Sequence, residues 1–313
     1  MQQLKVTRKL DVSGATLVGF GPPVWGIGKA YYVDSTSWGK GSDNNSGLDP
    51  SQPLAKIQTA LGYCTAGAND YVIILNAWDN DLATITVAKN QVHIIGVSCR
   101  QHSAPAPWIK INGDGTAPVF TLTGGSAQCA EIAGLSLAAD STHACIVIGA
   151  STGTYGSYAH LHDLAFANST DSAYLAQDGI NIANGREANG LLVSECDFGD
   201  QLTRDGIRID GGMSGGRIQN CYFTGFGGVG VNHTVASAVS TMPDVLDCRF
   251  RQAHGASEGW AITIQNSTGG LIDGNHASAD FTTADANPYL DHTDKSQWGL
   301  NYNVITVTAP ATT

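Results

Sequence analysis

Residues 205–223 read DGIRIDGGMSGGRIQNCYF, two short apolar runs joined by a glycine-rich turn. In GIRI (206–209) apolar residues alternate with polar or small ones, the period-two pattern of a strand with one buried face. The second run, RIQNCYF (217–223), ends on Cys221 and Phe223. Both runs recur along the chain. EIAGLSL (131–137), LHDLAF (161–166), LVSECDF (192–198), VLDCRF (245–250) and IDGNHA (272–277) align with the second. The final residues of this series are Leu137, Phe166, Phe198, Phe223, Phe250 and Ala277, spaced by 29, 32, 25, 27 and 27. CIVI (145–148), GINI (179–182), GVGV (228–231) and AITI (261–264) align with the first run.

Two short strands per unit, with glycine-rich turns between, fit a solenoid of parallel strands in which each coil lies about 4.8 Å above the last. Equivalent side chains then stack in ladders. The alignment places Ile180, Ile207, Val229 and Ile262 in one inside row, and Cys196, Cys221 and Cys248 in another. Ile218 and Cys221 cannot both point inward from one straight strand, so a bend must fall between them. Stacked cysteines point the same way, which is poor geometry for a disulfide. With seven cysteines and no CxxC spacing, a reduced and buried set is expected.

Composition agrees with a β-protein. Of 313 residues, 42% are hydrophobic and only 14% charged, and there are 38 glycines. The net charge of −11 is uneven. Residues 1–110 carry 9 Lys+Arg against 7 Asp+Glu (+2), and residues 111–313 carry 7 against 20 (−13). So acidic a body would repel phosphates, and no nucleic-acid partner is expected. No apolar run reaches the roughly 18 residues of a membrane span. MQQLKVTRKLDVSG lacks the apolar core of a secretory leader. Neither a membrane partner nor a cofactor is expected.

A coil of this kind leaves its first rung open, with unpaired backbone groups and apolar ends. The stretch GSDNNSGLDPSQPLAKIQTAL (41–61) is the expected lid. Leu54, Ile57 and Leu61 fall on one helical face. Ser51 suits the cap, Pro53 the first turn and Gly62 the end of a helix spanning about 53–62. YVIIL (71–75), ATITV (83–87) and VHIIG (92–96) would then start the coil.

The series YYVDSTSWGKGSDNNSGLDPSQPLAKIQTAL, then YVIILNAW, then VHIIGV, resembles the first turns of the pectate-lyase-like right-handed β-helix superfamily. The resemblance covers residues 31–97 and implies an all-β, right-handed parallel β-helix with a short N-terminal capping helix. That superfamily holds lyases, hydrolases, epimerases and non-enzymatic virion spikes, so the fold is implied more sharply than the activity. The adjacent Asp-Asp, Gly-His-Gly and Arg-Ile-Lys motifs of its polygalacturonase-like branch are absent here, as is the Arg-x-Pro-x-x-Arg of its pectate-lyase branch.

Cleavage of a polysaccharide needs paired carboxylates, or a carboxylate-held cation and a base. Two ladders offer carboxylates. Asp178 and Asp205 occupy equivalent places, as do Asn181 and Arg208; Asp210 follows directly, and His254 and Glu258 are expected nearby. Asp178, Asp205 and Asp210 are the contingent catalytic candidates. Asn181, Arg208, His254 and Glu258 are the contingent carbohydrate ligands. In the bland reading, Asp-Gly simply makes the turn into each strand. The second ladder is Asp163, Glu195, Asn220 and Asp247, with Asp197, Tyr222 and Arg249 beside it. It is read as a corner row that braces turns. His160 and His162 share a strand face near Asp163, but spacing alone places no third ligand, and no metal site is assigned. Trp25, Trp38, Trp78 and Tyr155 are aromatic residues able to stack on sugars.

The expected organisation is an N-terminal arm (1–30), the β-helix (31–277) and a C-terminal cap (278–313) whose Asn303–Thr308 strand closes the last rung. The expected function is a bacteriophage virion protein: a spike, fibre or capsid decoration. It would be located in the virion and, by analogy with spikes, a homotrimer. The arm would meet other virion proteins and the coil would meet host polysaccharide. The alternative is a depolymerase, either a polysaccharide lyase or a glycoside hydrolase. A glycan-binding module without turnover is a third reading.

Overall fold

The computed structural model describes residues 28–36, 39–77, 83–97, 109–113, 115–123, 127–149, 157–167, 175–234, 243–251, 259–265, 269–278, 281, 288–292, 295–303 and 306–307. They wind into three parallel sheets of ten, nine and eight strands. Strand-to-parallel-strand connections of this type are right-handed, and the chain is a right-handed parallel β-helix with one short helix at its start. Each complete coil holds three strands rather than the two expected from the repeat. In one coil Leu192–Ser194 lies in the first sheet, Asp197–Phe198 in the second and Ile207–Ile209 in the third. LVSECDF is therefore two strands with a corner between them.

One left-handed residue makes that corner. Gly134, Asp163, Glu195, Asn220, Asp247 and Gly274 have φ of 69°, 51°, 52°, 52°, 52° and 70°. A single αL residue between two extended ones turns the chain sharply, which lets Ile218 and Cys221 both face inward, at 0% and 1% exposure. The expected bend is present. Behind it Cys196, Cys221 and Cys248 stack as buried free thiols. Cys64 and Cys145 are buried too, whereas Cys129 is exposed, contrary to the expected all-buried set. Cys99 lies outside the described residues.

The core is a set of vertical rows. Ile146, Ile180, Ile207, Val231, Ile262 and Tyr289 are aligned by strand register. The row uses Val231 where Val229 was expected; Val229 pairs instead with Trp260, because this strand begins two residues earlier than its lower neighbour. Phe166, Phe198, Phe223 and Phe250 form a second row, with ring centroids 4.7, 4.4 and 4.6 Å apart. These rings explain the recurrent glycine at the start of the third-sheet strands. A Cβ at Gly179, Gly206 or Gly230 would lie 2.6 Å from the ring of Phe198, Phe223 or Phe250 respectively. The glycine of Asp-Gly-Ile is thus kept for close approach of an aromatic ring, and not for the turn itself.

The coil continues past residue 277, where the sequence repeat ends. Tyr289–Asp291, Gln297–Trp298 and Tyr302–Asn303 join the third, first and second sheets. The second sheet is closed by Thr306–Val307, which pairs antiparallel with Tyr302–Asn303. In these last coils Asn275 and Asn301 replace the cysteines. The Asn275 side-chain amide donates to Asn301 Oδ1 at 2.9 Å, and both side chains also bond buried backbone groups. The arm expected at 1–30 lies almost wholly outside the described residues.

The lid is divided between a loop and a helix. The helix spans Ile57–Tyr63, shorter than expected and shifted toward the C-terminus. Leu54 is not on it: its N–H donates to Tyr32 O at 2.8 Å and its carbonyl accepts from Asp34 N at 2.9 Å, so the loop pairs with the open first strand. Ser51 and Pro53 belong to that loop and cap nothing, and Gly62 is inside the last helical turn. In place of Ser51, the Asp43 carboxylate accepts from Ala55 N and Lys56 N at 3.2 Å each. Ile57, Ala60 and Leu61 cover the end of the core. Gln58 serves the edge of the third sheet, accepting from Thr86 N at 2.7 Å and donating back to Thr86 O.

At the other end of the helix the Lys89 ammonium donates to Leu61 O, Gly62 O and Cys64 O at 2.7, 2.8 and 2.5 Å. These are carbonyls a helix terminus leaves without partners, and they carry its negative end. Lys89→Met keeps the aliphatic stem and removes the charge. A loss of about 2 kcal/mol is expected from three charge-assisted bonds that cannot be replaced in kind. Urea unfolding followed by circular dichroism would read this; an unchanged midpoint would show that the helix end is satisfied by water.

Candidate functional site

The sequence candidates at the third sheet are brought together. Asn181 and Arg208 are register partners on adjacent rungs, which places Asp178 and Asp205 at matching positions just below them. Asp178 is fully buried and Asp205 is 1% exposed. Asp178 receives a bidentate pair from Arg204, Nε to Oδ1 at 2.8 Å and Nη2 to Oδ2 at 2.5 Å, and also the Asp205 N–H. Asp205 accepts from Val229 N at 2.9 Å, Asn232 Nδ2 at 2.9 Å and Arg208 Nη1 at 3.1 Å. Asp210 accepts from Arg208 Nε at 2.8 Å and from the Thr234 hydroxyl. Burial pushes the Asp205 carboxyl above its ordinary value, against the donors from Val229 and Asn232. The arrangement is a set of braces. Each buried carboxylate ties the turn below it to the strand above, and its oxygens are engaged by the protein itself. His254 and Glu258 lie outside the described residues, as do Trp25, Trp38, Trp78 and Tyr155.

The second ladder opens on a different surface. Its αL residues form the corner between first and second sheets, and the outward residues two places later stand beside them. Register stacks Asp197, Tyr222, Arg249, His276 and Tyr302 on successive rungs. A cleft of about 370 Å³ runs along this edge, lined by Asn220, Cys221, Tyr222, Asp247, Arg249, Gly274 and His276. Asn220, Asp247, Arg249 and His276 are exposed, and Tyr222 is half-buried. The His276 ring stacks on Tyr302 with centroids 4.7 Å apart.

This cleft combines flat rings with fixed donors and acceptors. Tyr222 and His276 offer ring surface to the C–H side of a pyranose; Arg249 offers a fork of N–H groups. Asp247 and Asn220 offer acceptors. Asp247 is the single carboxylate among the cleft's lining residues. Tyr222, Asp247 and Arg249 were visible in the sequence beside the corner ladder. His276 was not singled out, although it aligns with Arg249 one repeat later.

No family model and no curated protein matches the chain. Among solved structures, the chain is similar to a pectin methylesterase variant in complex with hexasaccharide IV, at 10% identity, with 90% of this chain and 92% of that chain covered and a TM-score of 0.49. It is similar to a pectin methylesterase in complex with hexasaccharide VII at 10% identity, with the same coverage and a TM-score of 0.48. It is also similar to ORF18 of Geobacillus virus E2, at 14% identity, covering 88% of this chain and 60% of that chain, with a TM-score of 0.36. Among the described residues no helix is long and apolar enough to cross a membrane. Three parallel sheets, a helix at the first rung and one-residue corners make the chain a parallel β-helix.

Proposed function

We propose that this chain is a glycan-binding β-helix of a bacteriophage particle, a spike, fibre or capsid decoration that holds a host polysaccharide along its second sheet. The observation that carries the reading is the open cleft in which Tyr222, Asp247, Arg249 and His276 stand on three consecutive rungs. Rungs about 4.8 Å apart present these groups as a rigid, repeating strip, which suits an extended polymer better than a small enclosed ligand. Binding without turnover is favoured because hydrolysis uses two carboxylates and the cleft lining has one. The virion assignment rests on the resemblance of residues 31–97 to a superfamily that includes phage spikes. Homotrimer assembly and docking through the arm belong to the same proposal.

Arg249→Ala and Tyr222→Ala are each expected to weaken binding to the host polysaccharide at least tenfold, about 1.4 kcal/mol, with no change in melting temperature. Glycan arrays and calorimetry on the full chain would read both quantities. Unaltered affinity in both variants would remove the cleft. Release of reducing or unsaturated ends from the same polymer would replace binding by a depolymerase. Absence of the chain from purified particles, judged by mass spectrometry, would remove the virion role.

A further inference from the structure

The first sheet carries a second polar cluster, on its outer face and separate from the cleft. His160 and His162 alternate along the strand His160–His162, so both rings leave the same side, with centroids 4.1 Å apart. Strand register places Glu131 one rung below, paired with His160. Glu131, His160 and His162 each offer a ligand atom, and these atoms lie within 4.8 Å of one another. Register thus supplies the third group that spacing along the chain could not.

Each of the three is held by a further residue. Glu131 Oε2 is bonded to His93 Nδ1 at 2.5 Å, and the His93 ring is stacked on Tyr71. His162 Nδ1 is bonded to Asp163 Oδ2 at 2.7 Å, which leaves Nε2 facing Glu131 Oε1 at 2.7 Å. His160 Nε2 is bonded to Ser194 Oγ at 2.9 Å, which leaves its Nδ1 as the ligating atom. A carboxylate, carbonyl or hydroxyl on the outer nitrogen of an imidazole, and a donor on the outer oxygen of a carboxylate, are what orient metal ligands.

We propose that Glu131, His160 and His162 bind one divalent first-row transition ion, with zinc the reference case. Two imidazoles and one carboxylate are the donor set suited to such ions rather than to calcium or magnesium, which prefer oxygen. Three protein ligands on two adjacent strands leave coordination positions open toward solvent, where water or an anionic group of a partner would complete the shell.

The test is titration of the chelator-treated full chain with Zn²⁺, followed by calorimetry and thermal melting, and with Co²⁺, followed by visible absorption. One equivalent bound, a rise in melting temperature and an intense low-symmetry Co²⁺ spectrum are expected. Each of Glu131→Gln, His160→Ala and His162→Ala should lower affinity at least tenfold. Asp163→Asn, which leaves all three ligands in place, should lower it less while keeping the one-to-one stoichiometry. Should a ligand variant fail to fold, Zn²⁺ titration of the wild-type chain followed by imidazole NMR decides by itself, because unshifted His160 and His162 ring signals mean that the imidazoles are not bound. No binding at one equivalent, or binding that survives in the His160/His162 double variant, overturns the site. The glycan assay plays no part in this test, so each proposal can fail alone.

Discussion

Phe223→Ala is expected to destabilise the coil by about 4 kcal/mol, since a fully buried aromatic residue replaced by alanine typically costs 3–5. Phe223 is unexposed and lies between two parallel rings, 4.4 Å from Phe198 with planes 5° apart and 4.6 Å from Phe250 with planes 11° apart. Removing it breaks two ring contacts as well as the burial of one side chain. Stacked aromatic pairs contribute roughly 0.5–1.5 kcal/mol beyond burial. The void cannot close easily, because the ring lies over Gly206, whose N–H donates to Val229 O and whose carbonyl accepts from Gly179 N, fixing its backbone between neighbouring coils. Phe166→Ala, which breaks one Phe–Phe contact, should cost less. Phe223→Leu keeps most of the volume and should cost less than about 1.5 kcal/mol. Because each coil touches only its neighbours, the loss is local, and a separate early phase in urea unfolding is expected. Circular dichroism against urea would read the midpoint, and a change below 1 kcal/mol would mean that the row is not what holds adjacent coils.

Gly206→Ala makes the complementary point. Its added Cβ would meet the Phe223 ring at 2.6 Å and also the Gly230 carbonyl oxygen at 2.5 Å. Shrinking the ring therefore cannot rescue it. The second clash is with backbone, which has no rotamer to move.

These rows also mark what the sequence disclosed. Side chains that repeat at one coil length were legible, since identical niches select identical residues; hence the phenylalanine and cysteine ladders and the Asn181–Arg208 pairing. Register within a coil was less so. Val229 and Val231 are both apolar, and only the position of the backbone ladder distinguishes them. The lid was found but its helix was misplaced, because Leu54 is buried in either arrangement. A strand-like bridge to Val33 buries it as well as a helical turn would. The carboxylates were found and their surroundings were not. Nothing in DGIRI tells that its aspartate faces Asn232 and the Val229 N–H, which come from the next coil. The Glu131–His160–His162 cluster was hidden for the same reason, as Glu131 lies 29 and 31 positions before the two histidines and meets them only through register.

Asp205→Ala should cost 3–5 kcal/mol, the usual range when one partner is removed from a buried ion pair. The carboxylate is 1% exposed and holds three donors, which lose their shared acceptor together when it is removed. Asp205→Asn is nearly isosteric and should cost less, about 1–3 kcal/mol. One amide oxygen still accepts, but the amide nitrogen then faces donors. Both variants should keep polysaccharide affinity at temperatures where they are folded, because Tyr222, Asp247 and Arg249 lie on another sheet. A catalytic Asp205 would give the reverse, a stable protein with no turnover. The double variant Asp205→Ala with Arg208→Met tests the brace directly. Arg208 retains Asp210 when Asp205 is lost, but its Nη1 loses its acceptor. Replacing both charges by apolar groups removes that penalty, so the double variant should be less damaged than the sum of the singles. Strict additivity would show that Asp205 is held by Val229 and Asn232 alone and that the arginine is incidental.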